Sequence, residues 1–382
     1  MQNFTFYNPV KIIFGRDTVS KIGREAAKAG KKALLVYGGG SIKKNGVYAT
    51  VAGSLSKNGL TFIEHSGVRP NPVLTHAHEG VKKAKENGCD LIIAAGGGSV
   101  IDEAKAIAAG ARYNGDVWDF FTGAAAIKDA VALFTVLTIP ATGSEMNSGC
   151  VVTNEATKQK YNAGSPRLFP RVSILDPETT MSLPREQAAN GAVDALAHLI
   201  EGYFTAEDTD VMMTDELVHA IARSVIASTD RIMADPKDYN ARASMMWSAT
   251  LALNGLQALG YGGGNFINHA IEHSLSAIYD IAHGAGLAIV LPAWFKYHLK
   301  MDGPGRLVKF GEAAFGAHNA EETVLAFESW FRKIGAPVRL SEARIPSADI
   351  PKIAENAMGL IAKWEIAGYD RKTVEEILQK AA

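Results

Sequence analysis

Asp194 and His198 stand four residues apart in "NGAVDALAHLIEG", and His269 and His273 repeat that spacing in "NHAIEHSLSAIYDIAHGAG", where His283 follows beside glycines. Residues four apart on a helix share one face, so each pair can turn its side chains toward a common point. A carboxylate with several neutral imidazoles suits zinc or ferrous iron, whereas calcium and magnesium take oxygen ligands. The chain has only 10 histidines, so their concentration in this otherwise apolar stretch calls for an explanation. The alternative is that Asp194 pairs locally and the imidazoles are satisfied core or surface groups. His65, His76, His78, His219, His298 and His318 lack such company in the sequence and are expected in the core or at the surface.

A second kind of chemistry is suggested by glycine. "YGGGSIKKNG" at 37–46 and "GGGSVIDEAK" at 96–105 each follow an apolar run. A glycine turn after a strand lets backbone amides approach a pyrophosphate with no Cβ in the way. Neither stretch has the Gly-x-Gly-x-x-Gly spacing or the Gly-Lys-Ser/Thr ending of the common nucleotide loops, so a dinucleotide would bind in a variant arrangement. In "TIPATGSEMNSG" (138–149), Thr138, Thr142, Ser144 and Asn147 can reach ribose, phosphate or carboxamide groups, or simply turn the chain. The first glycine stretch contains no Asp or Glu but has Ser41, Lys43 and Lys44. An acidic side chain there would favour ribose hydroxyls and repel a 2′-phosphate, so its absence predicts NADPH over NADH.

The elements needed to position these residues are legible. "KALLVY" (32–37), "TFIEHS" (61–66), "DLIIAAGGGS" (90–99) and "ALFTVLTIP" (132–140) read as strands, with a helical pattern at "IDEAKAIAAGA" (101–111). Apolar strands separated by helices predict a parallel sheet covered on both faces. "TTMSLPREQAANG" (179–191) marks a boundary, with Pro184 at a helix start. Beyond it "REQAANGAVDALAHLIEGYF", "DELVHAIARSVIASTDRIM", "YNARASMMWSATLALNGL" and "TVLAFESWFRKIG" all carry helical periodicity.

Composition bounds the rest. The 382 residues suffice for two or three domains, and 47% are apolar, enough for sizeable cores. A net charge of −1 gives no pull toward nucleic acid or anionic membrane. No long uncharged apolar run predicts a membrane span, and "MQNFTFYNPVKIIFG" lacks a signal-peptide layout. Two cysteines, Cys89 and Cys150, are too few for a disulfide scaffold, so a reduced, cytoplasmic protein is expected.

"GGGSIKKNG", "NP" at 71–72, "GGGSVIDEAK", "TIPATGSE", "ILDPETT", "NGAVDALAHLIE" and "HAIEHSLSAIYDIAHGAGLAIVLP" resemble, in order and over nearly the full length, the iron-containing (group III) alcohol dehydrogenases. Within them the likeness is to the butanol dehydrogenase-like branch of NADPH-dependent aldehyde reductases. The resemblance implies a dehydroquinate synthase-like architecture: an α/β dinucleotide-binding domain over 1–183, an all-helical metal-binding domain over 184–382, and the metal in the cleft between them. It implies Asp194, His198, His269 and His283 as ligands of Fe2+ or Zn2+, with His273 beside the metal handling protons. The implied cofactor contacts are Gly38, Gly39, Ser41, Asn71, Gly97, Gly98, Ser99, Asp102, Thr138, Thr142, Asn147 and Lys160; Lys158 is a near neighbour of the last.

The implied function is a metal-dependent NAD(P)H oxidoreductase that interconverts a primary alcohol and its aldehyde, with aldehyde reduction favoured. A divalent cation on the carbonyl oxygen is a Lewis acid for that chemistry, and NADP, or NAD, carries the hydride. A homodimer is also implied, with "NFTFYNP" as an N-terminal strand at its interface. Glycerol or polyol dehydrogenase is a near alternative. A dehydroquinate synthase-like lyase is a further one, but would need Lys and Arg where 261–286 is mostly small and apolar. A non-catalytic nucleotide-binding protein with a structural metal would not need so complete a ligand set.

Overall fold

The computed structural model describes residues 1–299 and 305–382. It contains two compact units: Tyr7–Leu183, and Pro184–Ala382 together with Met1–Phe6. The first six residues therefore group with the helical unit and not with the α/β domain expected for 1–183. The Met1 ammonium pairs with Asp208 at 2.5 Å, and the Gln2 amide donates to the Gly260 carbonyl at 2.9 Å. "NFTFYNP" forms no strand in the structure; the first strand begins at Lys11.

The α/β unit is built on a six-stranded sheet of order β1-β8-β5-β4-β2-β3, parallel throughout. Its strands are β1 (Lys11–Phe14), β2 (Lys32–Tyr37), β3 (Thr61–Ser66), β4 (Leu91–Gly97), β5 (Ala132–Ile139) and β8 (Val172–Leu175). The helices are α1 (Ile22–Ala26), α2 (Ser41–Lys44), α3 (Val47–Lys57), α4 (Leu74–Glu86), α5 (Gly98–Gly110) and α6 (Trp118–Thr122). Ala33, Leu35, Leu91 and Ile93 face one side of the sheet and pack with Ile22, Ala26, Val51 and Leu55. Leu34, Val36, Ile92 and Ala94 point to the other side and are equally buried. Burial of both faces is why these strands read as continuous apolar runs. Each fully buried Leu or Ile contributes about 1.5–3 kcal/mol.

Four sequence-predicted strands stand where expected. Strands β1 and β8 were not anticipated, nor was the antiparallel hairpin of β6 (Gly149–Asn154) and β7 (Gln159–Gly164). The hairpin is polar in composition, and its pairing comes from register: Val152 opposite Tyr161 and Thr153 opposite Lys160.

The helical unit contains α7 (Arg185–Phe204), α8 (Met212–Ala234), α9 (Tyr239–Ala252), α10 (Ile267–Tyr279), α11 (His283–His298), α12 (Gly305–Phe315), α13 (Ala320–Ile334), α14 (Ile350–Lys363) and α15 (Arg371–Gln379). Pro184 immediately precedes α7, where its fixed φ suits a helix entry. Helix α7 is buried almost all round from Ala188 to Tyr203, so it is the central helix of this unit. Among the described residues no helix is long and apolar enough to cross a membrane.

The glycines beside His283 are contact points. A Cβ on Gly284 would stand 2.0 Å from the backbone oxygen of Asn190 in α7, and one on Gly286 would stand 2.7 Å from Glu272 Cγ in α10. Helix α11 can therefore lie against both neighbours only with glycine at these places. Gly284→Ala should lower unfolding stability by about 1–3 kcal/mol, because backbone must move to admit the methyl. Chemical denaturation measures this, and an unchanged midpoint would contradict the close approach.

Candidate functional site

Three segments of the helical unit meet at Asp194. Helix α7 carries Asp194 and, one turn on, His198; α10 carries His269; α11 opens with His283. Asp194 Oδ1 lies 3.6 Å from His198 Nε2, 3.7 Å from His269 Nε2 and 3.5 Å from His283 Nε2. Donors bound to one zinc or iron ion at about 2.0–2.2 Å stand roughly 3–3.6 Å from each other. Each imidazole nitrogen thus stands from Asp194 Oδ1 at nearly the spacing of two donors on one ion, and slightly too far from it for a good hydrogen bond.

Asp194 Oδ1 and His269 Nε2 are buried and make no hydrogen bond. Leaving such atoms without partners costs about 1–3 kcal/mol each, more for a charged group. A cation would satisfy both, so the residues fit the metal that their types suggest.

Two carboxylates that sequence reasoning missed hold the imidazoles from behind. Glu201, a further turn along α7, takes His269 Nδ1 and also accepts from the backbone amide of Asn268. Glu272 takes His283 Nδ1 and is itself bonded by the Ser276 hydroxyl. Both glutamates are fully buried. A carboxylate on Nδ1 selects the tautomer whose Nε2 lone pair points at the metal and raises its basicity. The signal was present in the sequence: Glu201 follows Asp194 by seven and His198 by three, and Glu272 follows His269 by three, which are same-face spacings.

The electrostatics follow from burial and neighbours. Burial opposes ionisation of Asp194, yet the adjacent His198, His283 and His269 hold its carboxyl far below the usual range. Burial lowers His198 to about 4 against the pull of Asp194, leaving it a neutral ligand at neutral pH. For His269 burial acts in the same sense, but Glu201 and Asp194 outweigh it and raise the group to about 9. In metal-free protein His269 therefore holds a proton that an incoming cation must displace.

His273, one turn beyond His269, completes the histidine group. Its ring centre is 6.4 Å from that of His269, 5.5 Å from that of His283 and 5.7 Å from Trp364. It stands beside the ligand cluster, and Asp194 shares its close distances with the other three histidines. Phe266 packs edge-on against both His198 and His269.

The residues expected at the cofactor lie in the α/β unit at strand ends and the segments that follow. Gly38 and Gly39 follow β2 and Ser41 starts α2, while Gly97 ends β4 and Gly98 and Ser99 open α5. Asn71, at φ 53°, accepts from Lys160 Nζ at 3.0 Å. Lys160 comes from β7, so the hairpin brings these two expected contacts together; Thr153 N also bonds Pro72 O at 2.8 Å. Thr138 lies near the end of β5, and Thr142 Oγ1 accepts from the Ser144 amide at 3.2 Å.

Asp102 and Asn147 use their polar atoms inside the protein. Asp102 accepts from Ser144 Oγ at 2.6 Å and from the Val151 amide at 3.0 Å. Asn147 Oδ1 takes Lys105 Nζ at 3.0 Å, and its Nδ2 donates to Thr142 O at 3.3 Å. Lys105 was not singled out in the sequence. It is fully buried and donates as well to Ser144 Oγ, Asn147 O and Gly149 O at 2.7–2.9 Å. These side chains shape the 142–149 turn against α5.

Glu201→Gln should lower metal affinity about 10–100-fold by weakening His269 as a ligand. Because His269 must shed a proton to bind, wild-type affinity should climb with pH up to about 9, by about tenfold per unit. In the variant the climb should end at lower pH. Chelator competition at several pH values reads both effects, and a pH-independent wild-type affinity would contradict them.

Comparison with known proteins places this geometry. The iron-containing alcohol dehydrogenase model matches residues 9–177, and the family's C-terminal model matches 188–382. The chain is 41% identical to the probable NADH-dependent butanol dehydrogenase 1 of Bacillus subtilis, over 99% of each chain. It is 35% identical to the NADPH-dependent aldehyde reductase YqhD of Escherichia coli, over 94% of each. The crystal structure of the NADH-dependent butanol dehydrogenase A of Thermotoga maritima aligns with a TM-score of 0.95 at 48% identity, covering 100% of this chain and 99% of that one. With both halves matched and its relatives aligned end to end, the chain belongs to the iron-containing alcohol dehydrogenase family.

Proposed function

We propose that the protein reduces small, weakly polar aldehydes to primary alcohols with a reduced nicotinamide cofactor, using a divalent iron or zinc ion held by Asp194, His198, His269 and His283. As a family member it is an NAD(P)H-linked alcohol and aldehyde oxidoreductase. The observation that carries the detailed reading is the convergence of three imidazole nitrogens within 3.5–3.7 Å of one buried carboxylate oxygen. Polyol dehydrogenase and dehydroquinate synthase-like chemistry are less favoured: Phe266 and Trp364 make the neighbourhood of the histidines apolar, which suits a small aldehyde.

When bound, such an ion supplies Lewis-acid stabilisation for charge developing on a carbonyl oxygen, and the nicotinamide supplies hydride. The protein's own part is positional. Glu201 and Glu272 orient the Nε2 atoms of His269 and His283, so no reorganisation is needed during reaction. Phe266 limits water beside His198 and His269. The amides of the glycine turns, with Ser41, Ser99 and the Asn71–Lys160 pair, would bind the cofactor's phosphates and ribose. His273 is suited to pass a proton at a ring nitrogen, its ring centre standing 5.5 Å from that of His283.

Which nicotinamide is preferred turns on one side chain. The expectation of NADPH rested on Lys43 and Lys44 with no acid in 37–46. The fold brings Glu64 of β3 to Lys43 Nζ at 3.1 Å, and to the hydroxyls of Tyr37 and Tyr48. Those hydroxyls hold Glu64 down to about 2, so it is ionised at neutral pH. Lys43 is thus already paired, and a negative charge lies beside the first glycine turn. Together with the NADH-dependent names of two relatives, this supports NADH used at least as well as NADPH. A homodimer in a reducing cytoplasm remains part of the proposal; both cysteines are free and buried, and Phe4, Phe6 and Tyr7 are exposed.

Steady-state assays with butanal and iron- or zinc-loaded protein test the reading. NADH should give kcat/KM equal to or above that with NADPH, and Glu64→Gln should shift the ratio toward NADPH; strong NADPH preference in the wild type would reject the cofactor assignment. His273→Ala should keep its metal and lose kcat by about a hundredfold. Near-wild-type turnover in that variant would remove His273 from the proton path.

A further inference from the structure

A second buried histidine group lies in the α/β unit, apart from the expected metal ligands. Glu103 of α5 is fully buried, next to Asp102 and one turn after Ser99. Its Oε1 lies 2.7 Å from His76 Nδ1 and 3.0 Å from His65 Nε2, and the two rings stack with centres 4.1 Å apart. His76 Nε2 lies 3.1 Å from the backbone oxygen of Ser66. Both nitrogens of His76 therefore face acceptors, and only the doubly protonated ring can donate to both. His65 differs. Its Nδ1 faces a donor, Lys83 Nζ at 3.4 Å, so a neutral ring with its proton on Nε2 satisfies its surroundings.

The bonds of His76 run between the two glycine turns. Ser66 ends β3 and pairs with Tyr37. The amide of Gly67 donates to Tyr37 O at 3.1 Å and to Gly38 O at 3.2 Å, and that of Val68 donates to Tyr37 O at 3.3 Å. The strand end that His76 grips is thus bonded to the start of the first turn. Glu103 sits on the helix that begins at the second.

We propose that His76, held as an imidazolium between Glu103 and Ser66, is a positioning residue that sets the spacing of the two glycine turns, so that cofactor affinity falls when His76 loses its proton. This rests on the reading that the nicotinamide cofactor binds at those turns. The charged and titratable groups facing His76 are Glu103 from α5, His65 from β3, and Glu79 from its own helix, with Lys83 reaching it through His65. The bond to Glu103, aided by Glu79 and opposed by partial burial, raises the His76 pKa above the ordinary imidazole value. A raised pKa means that both bonds are present at low pH and that one is lost as pH rises through it.

The test is NADH binding to the full-length, metal-loaded protein, followed by nicotinamide fluorescence from pH 6 to 9. The wild-type Kd should rise by about three- to tenfold across this range, the size expected for one charge-assisted hydrogen bond acting indirectly. In His76→Gln the Kd should already be high at pH 6 and stay flat. In Glu103→Gln the rise should move to lower pH, since the imidazolium has lost its counter-charge; thermal melts report whether each variant is folded. A merely structural role would weaken binding equally at every pH. Parallel pH profiles in wild type and a folded His76→Gln, or an unshifted profile in Glu103→Gln, would overturn the proposal. A wild type that binds no NADH at any pH would instead overturn the cofactor reading beneath it.

Discussion

A carboxylate oxygen buried among three imidazole nitrogens is the constraint around which the helical unit is arranged. Asp194 is 2% exposed and its Oδ1 receives no hydrogen bond. An anion so placed is tolerable only with positive charge beside it, from protonated histidine or from a metal ion. The rest of the unit follows from assembling that shell. Helix α7 is buried on nearly all sides because α8, α9 and α11 pack around it, with α10 and α13 completing the ring. Gly284 and Gly286 are small because α11 must bring His283 close to α7 while leaving room for Glu272. Glu201 and Glu272 are buried because an imidazole aimed at a metal needs its other nitrogen anchored.

The α/β unit applies the same rule to a different task. Three of its buried charges, Asp102, Lys105 and Glu103, bond within the protein and join α5 to the turns and strand ends around it. Several polar residues expected at the cofactor therefore bond to the neighbouring turns inside the protein. Asp102 and Asn147 belong to this class. The turns themselves offer mainly backbone amides and small hydroxyls, which accept phosphate without demanding a particular side chain. Rigidity of the support matters here because an aligned hydride donor must be held to within a fraction of an ångström.

Distance separates the two histidine groups in function. Around Asp194 the three imidazole nitrogens stand 3.5–3.7 Å from its Oδ1, too far for good hydrogen bonds and suited to sharing an ion. Around Glu103 the two imidazole nitrogens stand 2.7–3.0 Å from its Oε1, which is hydrogen-bond length, and the partners accept and donate in a consistent sequence. Both groups combine carboxylate and imidazole at high burial. Protons bridge the closer one and a cation suits the wider one.

Much of this protein was legible before folding. Apolar strands such as "KALLVY" and the periodicity of "REQAANGAVDALAHLIEGYF" locate elements because burial on both faces, or on a helical stripe, leaves a mark on neighbouring residues. The pairs at 194/198 and 269/273 pointed to metal chemistry for the same reason: helical spacing is local. Other features had no local mark. The β6–β7 hairpin depends on cross-strand register, and Met1–Phe6 joins the helical unit through partners some two hundred positions away. The histidines at 65 and 76 seemed solitary because Glu103 comes from another βα unit. Glu64 altered the cofactor argument because strand pairing carries it to Lys43. Sequence by itself determined which residues could ligate, turn or span. Tertiary structure decided which of them meet, since side-chain chemistry is written residue by residue while proximity between distant segments exists only once the core has packed.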